Sequence, residues 1–179
     1  MTVVSAADAA DAPPGTRVAT ATWESLRAHR LGPYLATPDG ILAPLLELLA
    51  AREDYCTVSR EDNAVGIAAG IGLAGGSATV LMQNSGLGLA VNALASLVAP
   101  YRIPVLLVVS QRGTDADTTE ENLAMGRLTA PVLDGLGIAH ATLDATDLPG
   151  HVARAAVAVR EERRPYALLV PPGLFGWRP

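Results

Sequence analysis

Three short runs, SATVLMQ at 77–83, IPVLLVVS at 103–110 and YALLVP at 166–171, are apolar almost residue after residue, and between them hydrophobic side chains recur at helical spacing. A strand that is apolar on successive residues has no side to give to water, so it belongs in a sheet covered on both faces. Parallel strands need crossover connections, and helices of the length seen between these runs supply them. The chain is therefore expected to form an α/β fold, a doubly wound, mainly parallel sheet with helices on both faces.

The remaining elements follow from the same periodicity. A first helix is expected at TWESLRAHRL with Thr22 as its N-cap, then a strand at PYLAT and a helix at GILAPLLELLAAR. DYCTVS reads as a strand, residues 61–74 and 87–98 as helices, and QRGTDADTTEEN as a loop into a helix at 120–136. IAHATL and HVARAAVAVREER read as a strand and a helix ahead of the last run. Residues 1–19 are expected to be a flexible tail, and 20–179 a single domain.

Several function classes are excluded at this stage. All thirteen basic residues are arginine, which removes the lysine of a phosphate-binding P-loop and any Schiff-base lysine. A net charge of −5 with only seven aromatic residues offers neither a phosphate footprint nor a stacking platform, so no nucleic-acid partner is expected. No apolar run reaches the roughly 18 residues of a membrane span, and the first twenty residues lack a basic-then-apolar leader, so no membrane partner and a cytoplasmic location are expected. Cys56, the single cysteine, excludes an internal disulfide and any multi-cysteine metal site, and is expected to be a small buried residue.

Ligands of doubly wound sheets bind beyond the carboxyl ends of the strands, which selects residues 59–62, 83–88 and 110–115. GIGLAG at 70–75 matches a dinucleotide pattern, but a helix precedes it and a strand follows, the reverse of what a pyrophosphate site needs. QNSGLGLAVN at 83–92 has the right strand-to-helix context, yet Val91 stands at the third glycine position; a polar turn capped by Asn84 or Ser85 is an equal reading. Ser85 lacks the glycine frame of a nucleophile elbow, and His29, His140 and His151 lie apart in sequence. Glu61 is either a first-turn acid favoured by the helix dipole or, with Asp62 already in that role, a carboxylate placed for proton transfer.

Taken in order, REDNAVGIAAG, VLMQNSGLGLAVNALASL, YRIPVLLVVSQRG and MGRLTAPVLDGLGI, with the weaker TPDGILAPLL ahead of them, resemble the pyrimidine-binding domain of thiamine-diphosphate-dependent decarboxylases, most closely the phosphonopyruvate and sulfopyruvate decarboxylases. The resemblance implies the thiamine-diphosphate-binding fold, pyrimidine module. It implies that Glu61 is the catalytic acid that shares a proton with the cofactor's aminopyrimidine ring, and that Asn84, Ser85, Gly86, Leu87 and Gly88 line the pocket for that ring. It makes Asp39, Arg112 and Asn122 candidates for contacting an anionic 2-oxo acid.

The diphosphate and its Mg2+ are bound in this family by a GDG…N domain, and the sequence contains no GDG. The implied assembly is a hetero-oligomer with at least two copies of each chain, in which a second subunit holds the diphosphate and Mg2+. Departures from the family bear on the substrate. Ser110-Gln111-Arg112-Gly113 stands where GWRG is usual, TTEEN replaces DEPQH and so puts Asn122 at the histidine, and Gly40 replaces the serine of PDS. Alternative fates are a thiamine-dependent carboligase or a noncatalytic scaffold subunit, with a nucleotide-binding module as the rival outside the family.

Overall fold

The computed structural model describes residues 12–179. The three apolar runs lie at the centre of a six-stranded sheet. Strands β1 (Tyr34–Ala36), β2 (Tyr55–Thr57), β3 (Ala78–Gln83), β4 (Val105–Ser110), β5 (Ala139–Thr142) and β6 (Tyr166–Val170) are arranged β2-β1-β3-β4-β6-β5. Every pairing is parallel. The helices are α1 (Pro14–Ala28), α2 (Ala43–Arg52), α3 (Glu61–Leu73), α4 (Asn84–Ala93), α5 (Glu120–Gly135) and α6 (Leu148–Ala156). Helices α4 and α6 each run into a π-helical turn, closed by Ala99 N–H to Leu94 O at 2.9 Å and Glu162 N–H to Val157 O at 3.0 Å.

The pleat accounts for the continuous apolar runs. Leu81, Leu106, Val108, Leu168 and Val170 project into the layer formed by α1, α2 and α6. Their neighbours Val80, Met82, Leu107, Val109 and Leu169 project into the layer formed by α3, α4 and α5. All ten are buried, and each contributes on the order of 1.5–3 kcal/mol relative to an exposed position. The chain reverses its winding between β1 and β3, because β1 leads to α2 on one face and β3 to α4 on the other. A crevice opens at such a point.

Four expectations are corrected. Helix α1 starts at Pro14, whose fixed φ suits a first helical position, so residues 14–19 of the expected tail are helical; the rest of that tail, 1–11, lies outside the described residues. Thr22 is consequently no N-cap but an interior residue, 1% exposed, with its hydroxyl donating to Val18 O at 2.8 Å. Cys56 is exposed, because β2 is an edge strand with no neighbour on its outer side. Helix α4 begins at Asn84, three residues ahead of the periodicity, because the sheet holds the polar turn in helical geometry. Among the described residues no helix is long and apolar enough to cross a membrane.

The glycines of α3 divide into two kinds. A β-carbon on Gly72 would stand 2.5 Å from Ile103 Cγ2 and 3.2 Å from Pro104 Cδ, so the missing side chain lets α3 lie against the entry to β4. Gly66 and Gly70 face open space, with nothing within 4 Å of a β-carbon, beside the exposed side chains of Ile67 and Leu73. Gly70→Ala should therefore stabilise the isolated chain by about 0.5–1 kcal/mol through helix propensity. Gly72→Ala should destabilise it by about 1–3 kcal/mol through overpacking. Thermal denaturation of the two variants checks this, and equal shifts would contradict the packing.

Candidate active site

Glu61 enters the site because β2 ends in an extended Arg60 (φ −147°, ψ 142°) that turns directly into α3. The Arg60 guanidinium folds onto the next residue but one, with Nη2 to Asp62 Oδ2 at 2.8 Å and Nε to Oδ1 at 3.1 Å. Arg60 and the Asn63 backbone N–H hold the Asp62 carboxyl below its ordinary value. Asp62 thus satisfies both the arginine and the helix start. Glu61 is half-buried and accepts no hydrogen bond from another described residue. Its side chain lies against Gly86 in the first turn of α4: a β-carbon there would be 2.6 Å from Glu61 Oε1 and closer still to Cγ and Cδ. The carboxylate stem fills the space that a side chain at position 86 would need.

The other residues of the 84–88 turn have separate tasks. Asn84 is fully buried, and its Nδ2 donates to Arg112 O at 2.8 Å and to Thr129 Oγ1 at 3.1 Å, while the Thr129 hydroxyl donates to Met125 O at 2.6 Å. These bonds tie α4 to the end of β4 and to α5. Asn84 Oδ1 is buried without a partner. Ser85 is exposed and accepts from Gln83 Nε2 at 2.7 Å. Leu87 is wholly buried in the core, so its side chain serves packing. Gly88 leaves room for Met125, whose Cε would be 3.2 Å from a β-carbon.

A second polar group gathers at the ends of β1 and β4. Asp39 Oδ1 accepts from Leu42 N–H at 2.7 Å, fastening the turn into α2. Its Oδ2 and the hydroxyl of Ser110 are both buried without a well-formed hydrogen bond. Burial pushes the Asp39 carboxyl above its ordinary value, against the Leu42 N–H, the neighbouring Ser110 hydroxyl and the charge of Arg112. Arg112 pairs with Asp117, Nε to Oδ2 at 2.5 Å, and its guanidinium lies 4.7 Å from the centroid of the Trp177 ring.

Asp117 is the hub of this loop and was not singled out by sequence reading. Besides Arg112 it accepts from Gly113 N–H at 2.9 Å, from Thr119 Oγ1 at 2.5 Å and from Asn122 Nδ2 at 3.2 Å. Burial raises its carboxyl, but the donors of Thr119, Gly113 and Arg112 together outweigh it and hold the group well below the usual carboxylate range. Asn122, expected at the substrate, thus has its amide committed to Asp117. The aspartate-threonine spacing in DADTT is a turn signal that could have marked the hub. Ser110 and Trp177 carry no comparable signal, and Thr129 meets Asn84 from 45 positions away.

The structure therefore brings Glu61 onto Gly86, and Asp39 into the neighbourhood of Ser110 and Arg112. It leaves Ser85 at the surface and turns Asn84, Leu87 and Asn122 to structural partners. The unbonded Glu61 carboxylate, lodged against Gly86, is placed to exchange a proton with a basic nitrogen of a bound group. Among the described residues no group of three or more His, Cys, Asp or Glu side chains could hold a metal ion.

Comparison with known proteins gives the chain a family. Residues 16–131 match the family described as thiamine pyrophosphate enzyme, N-terminal TPP binding domain. The chain is 47% identical over 79 residues to sulfopyruvate decarboxylase subunit alpha of Methanothermobacter thermautotrophicus, covering 44% of this chain and 48% of that one. It is 35% identical over 149 residues to phosphonopyruvate decarboxylase of Streptomyces viridochromogenes, covering 79% of this chain and 37% of that one. The chain thus spans about half or less of the length of these relatives. The thiamine diphosphate-dependent 4-hydroxybenzoylformate decarboxylase of Rhodococcus jostii RHA1 has the same fold, with a TM-score of 0.67 and 23% identity over 90% of this chain and 31% of that one.

The burial of Asp39 has a consequence for stability. A carboxyl raised in the folded state favours folding fully only below its unfolded value of about 3.9, and that contribution is lost as pH rises through the folded value. Asp39→Asn keeps the acceptor for Leu42 N–H and removes the buried charge. Its melting temperature should exceed the parent's at neutral pH, by an amount that shrinks on acidification toward pH 4. Thermal melts across that range check this, and a pH-independent difference would contradict it.

Proposed function

The chain belongs to the thiamine pyrophosphate enzymes, as their N-terminal TPP binding domain, and from that premise we propose that it is the pyrimidine-binding subunit of a heteromeric 2-oxo acid decarboxylase. Its substrate on this reading is an anionic acid of the phosphonopyruvate or sulfopyruvate kind, and its products an aldehyde and CO2. The observation that carries the proposal is the Glu61 carboxylate, unbonded and lodged against Gly86 at the carboxyl edge of the sheet. A merely structural first-turn acid would be expected to bond its own helix or its arginine neighbour, as Asp62 does.

Thiamine diphosphate, when bound, supplies the electron sink that a departing carboxylate needs. Glu61 would hold and move the proton at the pyrimidine-ring nitrogen, and Gly86, by lacking a side chain, would leave the Glu61 stem the room to stand there. Ser85 and Gly88 flank Gly86 on the same turn. Asp39, with one buried oxygen left without a well-formed hydrogen bond beside Ser110, would stand on the substrate side of the site. Arg112 would bind the acid's negative charge.

A second chain would hold the diphosphate and Mg2+. The name of the Methanothermobacter relative, a subunit alpha, supports a partner. So does the outer face of α3 and α4, where Ile67 is 46% exposed, Leu73 69% and Leu89 46%, around glycines that nothing internal requires. Depletion of charge around exposed apolar groups is typical of the centre of an interface.

The test is aldehyde and CO2 release from a panel of anionic 2-oxo acids, using this chain co-purified with a second chain that carries GDG…N, with thiamine diphosphate and Mg2+. Glu61→Gln should lower turnover by about 10²–10⁴-fold without changing the melting temperature by more than a few degrees. Gly86→Ala should lower it by displacing the Glu61 side chain. Near-parental turnover in Glu61→Gln would overturn the reading.

A further inference from the structure

An arginine that is free at its end but held at its shoulder is an unusual arrangement, and Arg112 has it. A guanidinium carries five N–H donors on three nitrogens. The Nε of Arg112 is used by Asp117, one face of the plane lies on Trp177, and neither Nη donates to another described residue. The side chain is only one-fifth exposed. Its buried carboxylate partner is itself fixed by Gly113, Thr119 and Asn122, while the Arg112 carbonyl is held by Asn84. The carbonyl and the Nε of the arginine are thus fixed, and the two outer nitrogens remain as a pair of donors.

We propose that Asp117 is the positioning residue of substrate selection: by holding Arg112 through Nε against Trp177, it presents both Nη groups as a fixed receptor for the anionic group that the 2-oxo acid keeps after CO2 has left. The inference rests on the decarboxylase reading and deepens it. The choice between the two anionic ends of the substrate follows from energetics. A bidentate arginine on the carboxylate that must depart would stabilise the ground state more than the transition state and slow the reaction. The same pairing with the retained group is unchanged along the reaction and supplies binding alone. Pre-fixing the guanidinium spares the rotamer entropy that a free arginine loses on binding.

The test has two readouts. Binding of sulfoacetate, which has a carboxylate and a sulfonate but no keto group to react, is measured by calorimetry on the full chain, alone and with its partner. Asp117→Asn and Arg112→Lys should each weaken it at least tenfold, the lysine because it has neither an Nε–H for Asp117 to hold nor a planar pair of donors for the anion. Asp117→Glu should recover part of the loss. In the complex, Asp117→Asn should raise KM for 3-sulfopyruvate at least tenfold while changing kcat, and turnover of pyruvate, less than threefold.

Circular dichroism and melting temperature show whether Asp117→Asn folds; if it does not, Arg112→Lys, whose side chain reaches the surface, decides alone. Absence of saturable sulfoacetate binding in the parent under both conditions, or affinity of Arg112→Lys within twofold of the parent, would overturn the proposal. Equal losses for sulfopyruvate and pyruvate would overturn it as well. A complex that binds sulfoacetate in the predicted rank order but releases no CO2 from any 2-oxo acid would leave the clamp standing and remove the decarboxylase reading instead.

Discussion

A sheet buried on both faces has no side chain to spare for chemistry, and the rest of this molecule is arranged around that constraint. Ten residues of the central strands project into two apolar layers, so reactive groups can stand only where strands end. Because all the strands run the same way, their carboxyl ends fall on one edge. Asp39, Glu61 and Arg112 belong to segments leaving β1, β2 and β4, and are separated by up to 73 positions in sequence, from Asp39 to Arg112. The parallel register, more than any local motif, is what brings them together.

Within that frame, glycine performs two opposite tasks. At positions 72 and 86 it is required from inside, because Ile103 and the Glu61 side chain occupy the space of a β-carbon. At 66 and 70 nothing among the described residues requires it, and the helix gives up propensity for no gain within them. Such a cost makes sense where another backbone comes close. The difference could not be read from the sequence, where AVGIAAGIGLAGG is a single small-residue segment.

The strands and most helices were legible because two-sided burial writes itself into consecutive residues, as in VLLVV of β4. What was lost lay where tertiary contact overrides local pattern. Pro14 and Thr22 look like a tail and a cap, yet packing of Gly15 against the backbone at Phe175 and Gly176 extends the helix through both. Cys56 looks buried by composition and is exposed by its edge position. In the site, Glu61 and Gly86 could be anticipated from their place at strand ends. Asp117 was marked only by the turn pattern of DADTT, since its importance comes from four partners that the loop closes around it, and Trp177 reaches Arg112 from the segment after β6, 65 positions away in sequence.

The two charged halves of the site depend on different neighbours. Glu61 is shaped by the first turn of α4, whereas Arg112 is shaped by its own loop and by the segment after β6; Asn84, through the Arg112 carbonyl, is the joint between them. Mutational drift in the loop or in the terminal segment can therefore re-aim the arginine without reaching the glutamate. A fold divided in this way is evolvable: on the function proposed above, acid acceptance can diversify between lineages while the turn that carries Glu61 is inherited unchanged.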